Sequence, residues 1–141
     1  MSKISADIMT IARATRRHRN AYMEPFGLKG LHVRYLTELC AAPGISQDGL
    51  AQRLGTDKSN VARQVAVLEE RGFLLRSPAK EDKRVLCLHP TEKTLQLLSP
   101  MQENMDSWEQ RLIEDLTEQE RALLQDLLEK VRSKAVQMEA M

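Results

Sequence analysis

Apolar residues recur at helical spacing through most of this chain, and glycine and proline divide it into segments. The spacing predicts a first helix over residues 4–22, which Pro25 and Gly27 end, and a second over residues 30–41, which Pro43 ends. The apolar side of the second helix consists of Leu31, Tyr35, Leu36 and Leu39. Both segments are therefore predicted to be amphipathic helices.

Two shorter helices joined by a tight turn are predicted next. Ser46 can cap the first, and Gly55 fits its C-terminal end, where a left-handed residue commonly stops a helix. Thr56 or Asp57 can cap the second, which Gly72 ends. The apolar side of this fourth helix consists of Val61, Val65 and Leu68. The order predicts a helix-turn-helix unit.

The pattern then changes to two short apolar runs, residues 73–76 and 85–88, on either side of a charged segment at 77–84. Short strands around a charged loop indicate a β-hairpin. From Thr91 onward the spacing is helical again. We expect a kink or a break near residues 96–100, because Pro100 removes one backbone donor and clashes with the preceding turn.

The last helix is predicted to start with a capping box formed by Thr117 and Glu120. Its apolar stripe consists of Leu123, Leu124, Leu127, Leu128 and Val131. A head of three helices and a hairpin cannot bury two further long helices. We therefore expect this stripe to pack on a partner chain.

Length and composition exclude several classes of protein. The 141 residues, 42% of them apolar, fit one globular domain or two small modules. No apolar run approaches the roughly 18 residues of a membrane span, and the start lacks a signal peptide, so we expect a cytoplasmic protein. A Gly-rich phosphate loop, a nucleophile elbow and a zinc-protease motif are all missing from the sequence. The sequence predicts neither an enzyme nor a cofactor.

The net charge of +1 hides an uneven distribution. Residues 1–52 carry seven basic and four acidic side chains, and residues 53–84 carry eight and five. Residues 91–141 carry six basic and eleven acidic side chains. The basic first two thirds allow a nucleic-acid surface, and only 4% aromatic residues disfavour a stacking platform for single strands.

The fourth helix carries the side chains that suit duplex DNA. The second helix of a helix-turn-helix pair fits the major groove, which is about 12 Å wide. The polar side chains outside its core stripe are Lys58, Ser59, Asn60, Arg63 and Gln64. Such side chains bond base edges and phosphates, whereas the acidic Glu69 and Glu70 fall at the other end.

The predicted hairpin loop adds a second basic group, formed by Lys80, Lys83 and Arg84. An arginine at the tip of a hairpin can enter the narrow minor groove, and Asp82 can brace it in a charge-assisted pair. We expect phosphate contacts from Gln47, Lys58, Lys80 and Lys83.

Three motifs resemble the MarR family of bacterial transcription regulators: S-Q-x-x-L-A-x-x-L at 46–54, D-K-S-x-V-x-R-x-V-x-x-L-E-x-x-G at 57–72, and D-K-R at 82–84. The resemblance implies a mainly α fold with a small β-hairpin wing. It places a winged helix-turn-helix domain at 28–90, and dimerisation helices at 1–27 and 91–141.

The same resemblance implies what the protein does. It implies a homodimer that binds a pseudo-palindromic operator, acts as a repressor and is released by a small ligand, phenolic or anionic. It makes Arg84 the wing arginine. Its base-facing positions are Ser59, Asn60, Arg63 and Gln64.

Two alternatives stay open, together with an effector site. An aromatic anion needs a cation and an apolar slot, which Arg17, His18, Tyr22 and His32 can supply.

Cys40 or Cys87 can instead serve a thiol-based redox sensor, although both cysteines are also explained as small, buried apolar residues. The other alternative is a helical interaction module that binds no DNA. The scattered histidines predict no metal site.

Overall fold

Helices make up most of residues 3–140, the part of the chain that this computed structural model describes. The elements in order are α1 (Lys3–Met23), a 3-10 turn (Glu24–Phe26), α2 (His32–Ala41), α3 (Gln47–Leu54), α4 (Lys58–Glu70), β1 (Leu74–Pro78), β2 (Leu86–Pro90), α5 (Glu92–Leu112) and α6 (Glu118–Glu139). β1 and β2 form an antiparallel hairpin. The predicted fold class, mainly helical with one small hairpin, is confirmed.

Two compact units divide the chain, one ending at Met105 and the other beginning at Asp106. The core of the first unit lies among α2, α3, α4 and the hairpin, and parts of α1 and α5 contribute to it. Its largest fully buried side chains include Met23, Leu36, Leu39, Leu50, Val61, Val65, Leu68, Phe73, Leu74, Leu88 and Met101. All three predicted core positions of α4 are among them.

The helix-turn-helix unit starts and stops where its capping residues predict. The Ser46 hydroxyl accepts the Gly49 N–H at 2.9 Å, and Gly55 takes a left-handed conformation with φ of 66° at the end of α3. Asp57, rather than Thr56, caps α4: its Oδ1 accepts the Asn60 N–H at 2.7 Å. The caps therefore fix the first turn of both helices.

The strands are displaced from the predicted runs. β1 and β2 each begin one residue later and end two residues later than predicted, with Leu74 opposite Pro90 and Pro78 opposite Leu86. Prolines are tolerated at these ends because the pairing there needs no proline N–H. On the other edge of β2, Leu88 accepts the Gly44 N–H at 2.7 Å and donates to Ile45 at 2.8 Å. These bonds tie the hairpin to the start of the helix-turn-helix unit.

The expected break at Pro100 is wrong, because α5 continues from Glu92 to Leu112 with Pro100 inside it. Leu97 and Met101 flank the proline and are buried, so packing holds this part of the helix in place. The buried side of α5 consists of Thr94, Leu97 and Met101. Leu95 is exposed, and so is Leu31, which the sequence placed on the apolar side of the second helix.

α6 begins with the predicted capping box. Thr117 accepts the Glu120 N–H at 3.2 Å, and Glu120 accepts the Thr117 N–H at 2.9 Å. Within the described chain, no residue of α6 is buried, and its apolar stripe lies half in solvent. None of the helices in residues 3–140 has the length and apolar character that crossing a membrane requires.

Candidate nucleic-acid interface

The N-terminal half of α4 presents an ordered polar face. Lys58, Ser59 and Arg63 are exposed, and Asn60 is half-buried between neighbours. Asn60 accepts from the Arg63 guanidinium at 3.2 Å and donates to the Thr56 hydroxyl at 3.2 Å. The first two turns of α4 therefore present an oriented pair, the Arg63 cation and the Asn60 amide.

Lys58 lies at the junction of the two short helices. Its Nζ is 3.4 Å from Asp48 Oδ2 on α3, and both side chains are largely exposed. An exposed pair of this kind contributes little to stability and exchanges readily for another anion. Lys58 is therefore free to exchange Asp48 for a phosphate oxygen.

Gln64 is the predicted base-facing residue that the structure places differently from the others. It is half-buried, and its Oε1 lies 2.8 Å from Nε2 of His32 on α2. His32 is 2% exposed, and burial, the largest cause, lowers its pKa. The bond joins a residue predicted to face DNA to one predicted to bind an effector.

The hairpin and its loop, residues 74–90, form a basic wing. The Asp82 carboxylate accepts three hydrogen bonds from Arg84: from the backbone N–H at 3.0 Å, from Nε at 3.1 Å and from an NH2 group at 3.2 Å. The Arg84 side chain is 91% exposed. Hydrogen bonds from Arg84 lower the pKa of Asp82, so the brace is charged at neutral pH. Lys80 and Lys83 are exposed beside it.

An ion pair that the sequence analysis missed joins α4 to the wing. Glu69 Oε1 accepts from Arg76 Nε at 3.1 Å and from an NH2 group at 2.7 Å, and Glu69 Oε2 accepts from the Arg76 N–H at 3.3 Å. Both side chains are about a third exposed. The available signal was an acid and a base seven residues apart on either side of Gly72, where the chain reverses.

Gln47 lies at the start of α3, on the same helix-turn-helix unit. It is half-buried, and its Oε1 is buried without a hydrogen-bond partner in the described part of the chain. Of the residues predicted to contact phosphates, Gln47 is the one whose side chain is partly enclosed, whereas Lys58, Lys80 and Lys83 are exposed.

The four predicted effector residues have different surroundings. His18 bonds Asn104 on α5 at 2.8 Å, and His32 bonds Gln64 on α4. Tyr22 packs on the core with its ring 5.9 Å from Phe26, and Arg17 is exposed on α1. A groove along α6 is lined by residues of that helix alone. These four residues take no part in it, and their effector role stays a prediction.

Burial works against activation of the Cys40 thiol. Cys40 and Cys87 are free and half-buried, and burial raises the pKa of Cys40. A raised pKa disfavours the thiolate that a redox sensor needs. Within residues 3–140 no group of three or more His, Cys, Asp or Glu side chains is placed to hold a metal ion.

Comparison with known proteins agrees with this geometry. The MarR family model matches residues 26–85, from the turn before α2 to the tip of the wing. A putative MarR family transcriptional regulator from Listeria monocytogenes, solved in complex with 26mer DNA, is 30% identical. The match covers 95% of this chain and 89% of that one, with a TM-score of 0.84. This chain belongs to the MarR family.

Two further relatives extend the comparison. A MarR protein from Peptoclostridium difficile superposes with a TM-score of 0.90 at 28% identity, over 98% of this chain and 90% of that one. The HTH-type transcriptional regulator YybA of Bacillus subtilis is 33% identical over 93 residues, which are 66% of this chain. The match spans 62% of YybA, about three fifths of its length. MarR proteins are transcription regulators and not enzymes, as the sequence predicts here.

Proposed function

We propose that the protein is a homodimeric transcription repressor that binds a pseudo-palindromic DNA operator. The observation that carries the proposal is that one compact unit presents two basic groups: the N-terminal face of α4 and the tip of the wing. The Listeria relative that was solved with 26mer DNA supports duplex DNA as the partner. Such a regulator acts in the cytoplasm.

The side chains divide between affinity and specificity. Phosphate contacts come from Gln47, Lys58, Lys80 and Lys83, and the base-reading side chains are Ser59, Asn60, Arg63 and Gln64. Arg84 enters the minor groove, and the Asp82 brace sets the direction of its guanidinium. Residues 28–90 form the DNA-binding domain in this proposal.

Dimerisation uses residues 1–27 and 91–141. On α1, Ile4, Ile8 and Ile11 are exposed, and on α6 Leu127 and its apolar neighbours are about half exposed. Exposed apolar stripes on long helices are characteristic of an interface. In the bound dimer the two copies of α4, the recognition helices, lie about 34–36 Å apart, which is one turn of the duplex.

A small phenolic or anionic ligand relieves repression in this proposal. Arg17 supplies a cation on α1, and the half-buried Tyr22 supplies an aromatic surface. His18 and His32 complete the proposed set. Both ring nitrogens of His32 are engaged by Lys29 and Gln64, so His32 joins the site only by exchanging its bond to Gln64.

A salt titration tests the proposal directly. The protein is titrated with its own upstream DNA and with a scrambled duplex of equal length, over a range of salt concentrations. We expect tighter binding to the upstream DNA and a steep loss of affinity with salt, since phosphate contacts release counterions. Equal, weak binding to both duplexes, at every upstream segment tried, contradicts the proposal.

Arg63→Ala tests the assignment of the recognition helix. The loss of one guanidinium contact to a base should cost about 1–3 kcal/mol on the operator and relax preference at one base position. Arg71→Ala is the matched control, because it removes an equal charge from the opposite, C-terminal end of α4. If the two variants bind the operator equally, α4 does not read DNA through its N-terminal half.

A further inference from the structure

The bonds of His32 determine which ring nitrogen carries the proton. His32 Nδ1 accepts the backbone N–H of Lys29 at 3.0 Å. A neutral imidazole has one donor and one acceptor nitrogen, so Nε2 must carry the proton. Nε2 lies 2.8 Å from the Gln64 side chain, to which it donates.

This tautomer fixes the orientation of the Gln64 amide. Only the amide oxygen can accept a hydrogen bond from His32 Nε2–H, so Oε1 must be the atom turned towards α2. The assignment follows from the backbone bond of Lys29 to Nδ1. The NH2 group is then the part of Gln64 that points away from His32.

His32 is itself held in place. It is 2% exposed, and its ring packs edge-on against Tyr35, with the ring centroids 6.1 Å apart. A buried ring with one backbone bond and one aromatic neighbour has little freedom to rotate. His32 Nε2, the donor to Gln64, is therefore part of the rigid core, and the Gln64 amide orients itself towards it.

We propose that His32 is a positioning residue for DNA recognition, which turns the Gln64 oxygen inward, so that the amide NH2 is the group that Gln64 directs towards a base. A glutamine contacts adenine through both amide atoms, which requires Oε1 to face the base edge. With Oε1 bonded to the interior, Gln64 matches a base edge that presents acceptors alone. Guanine, with N7 and O6, and thymine, with O4, present such edges. The inference rests on the proposed function, since it assumes that α4 enters the major groove.

The first test uses the free wild-type protein and no DNA. Two-bond 15N–1H correlation spectra at neutral pH show which ring nitrogen of His32 is protonated. We expect the proton on Nε2. A proton on Nδ1 would overturn the inference whether or not the protein binds DNA, because Nδ1 would then no longer accept the Lys29 N–H.

The second test selects duplexes from a randomised library. Gln64→Ala identifies the operator position that depends on Gln64, where the wild type should prefer guanine or thymine over adenine. In His32→Phe the amide is released, and discrimination against adenine at that position should fall by about fivefold, the value of one neutral hydrogen bond. The double variant should match Gln64→Ala, because His32 acts only through Gln64. His89→Gln, a change at an exposed histidine of β2, should leave the preference unaltered.

The outcomes separate the inference from the proposed function. A wild type that enriches no sequence overturns both. A wild type that enriches a sequence with adenine at the Gln64-dependent position, or with no position that depends on Gln64, overturns the inference alone. A lower affinity of His32→Phe for every duplex, without a change of base preference, assigns His32 a merely structural role and also overturns the inference.

Discussion

The ion pair between Glu69 and Arg76 gives a prediction in which the loss of geometry and the change of net charge have opposite effects on DNA binding. Glu69→Ala removes a negative charge near the proposed DNA surface, and on charge alone it should tighten DNA binding. The same change removes the acceptor of three hydrogen bonds that hold the wing against α4. We expect the second effect to dominate, because a wing that is free to move contributes less to the complex.

The size of the coupling energy between Glu69 and Arg76 follows from how far their side chains are exposed to solvent. Hydrogen bonds to a charged group contribute about 1.5–3 kcal/mol when enclosed, and exposed ion pairs contribute about 0.2–1 kcal/mol. The side chains of Arg76 and Glu69 are 30% and 34% exposed, so solvent screens part of the attraction. We therefore expect a coupling energy of about 1 kcal/mol, which corresponds to roughly 4 °C in Tm for a chain of this size.

The assay is a double-mutant cycle of Glu69→Ala and Arg76→Ala by denaturant unfolding, at one fixed protein concentration. Operator binding is measured beside it, with Glu70→Ala as the matched control, because this exposed neighbour removes the same charge. We expect Glu69→Ala to bind the operator more weakly than Glu70→Ala. A coupling energy below about 0.3 kcal/mol, with equal DNA binding by the two variants, would refute the reasoning.

The pH dependence of this pair has a definite sign. The hydrogen bond from Arg76 is the largest cause that holds the pKa of Glu69 below its ordinary value of 4.5. The folded state therefore binds this proton less readily than the unfolded chain does. The contribution of the ion pair to the free energy of unfolding is complete above pH 4.5. The difference in free energy of unfolding between wild type and Glu69→Ala should shrink as the pH falls below 4.5 and through the lower folded pKa.

Three further predictions concern the caps, the buried histidine and α6. Asp57→Ala should cost about 1 kcal/mol in unfolding free energy through loss of the α4 cap, whereas Asp57→Asn, which keeps the cap, should cost a few tenths. Burial lowers the pKa of His32 from 6.5, so the unfolded chain takes up its proton first. Unfolding free energy, measured by denaturant titration, should therefore fall as the pH drops below 6.5, and less so in His32→Phe. Leu127→Asp should convert the proposed dimer to monomer in sedimentation experiments while leaving the helical circular dichroism signal in place. A variant that remains dimeric would place the interface elsewhere.

The sequence predicted the local features well because their causes are local. Ser46 and Asp57 lie immediately before helices and bond N–H groups three residues away, a relation that spacing alone reveals. The buried stripe of α4 follows from the helical period in the same way. The predicted break at Pro100 is wrong because the proline effect is also local, whereas the burial of Leu97 and Met101 on either side is a tertiary effect.

Periodicity identifies which face of an element is polar, but it does not identify the partner across that face. The sequence assigned Gln64 to DNA because it lies outside the core stripe of α4, and it assigned His32 to a set of residues suited to an aromatic anion. The two lie 32 residues apart along the chain, and the bond between them depends on how α2 packs against α4. A residue chosen for its outward position can thus have one of its hydrogen-bonding positions fixed from inside. The face of α4 alone therefore cannot predict which bases Gln64 prefers; the donor behind it, on α2, must be known as well.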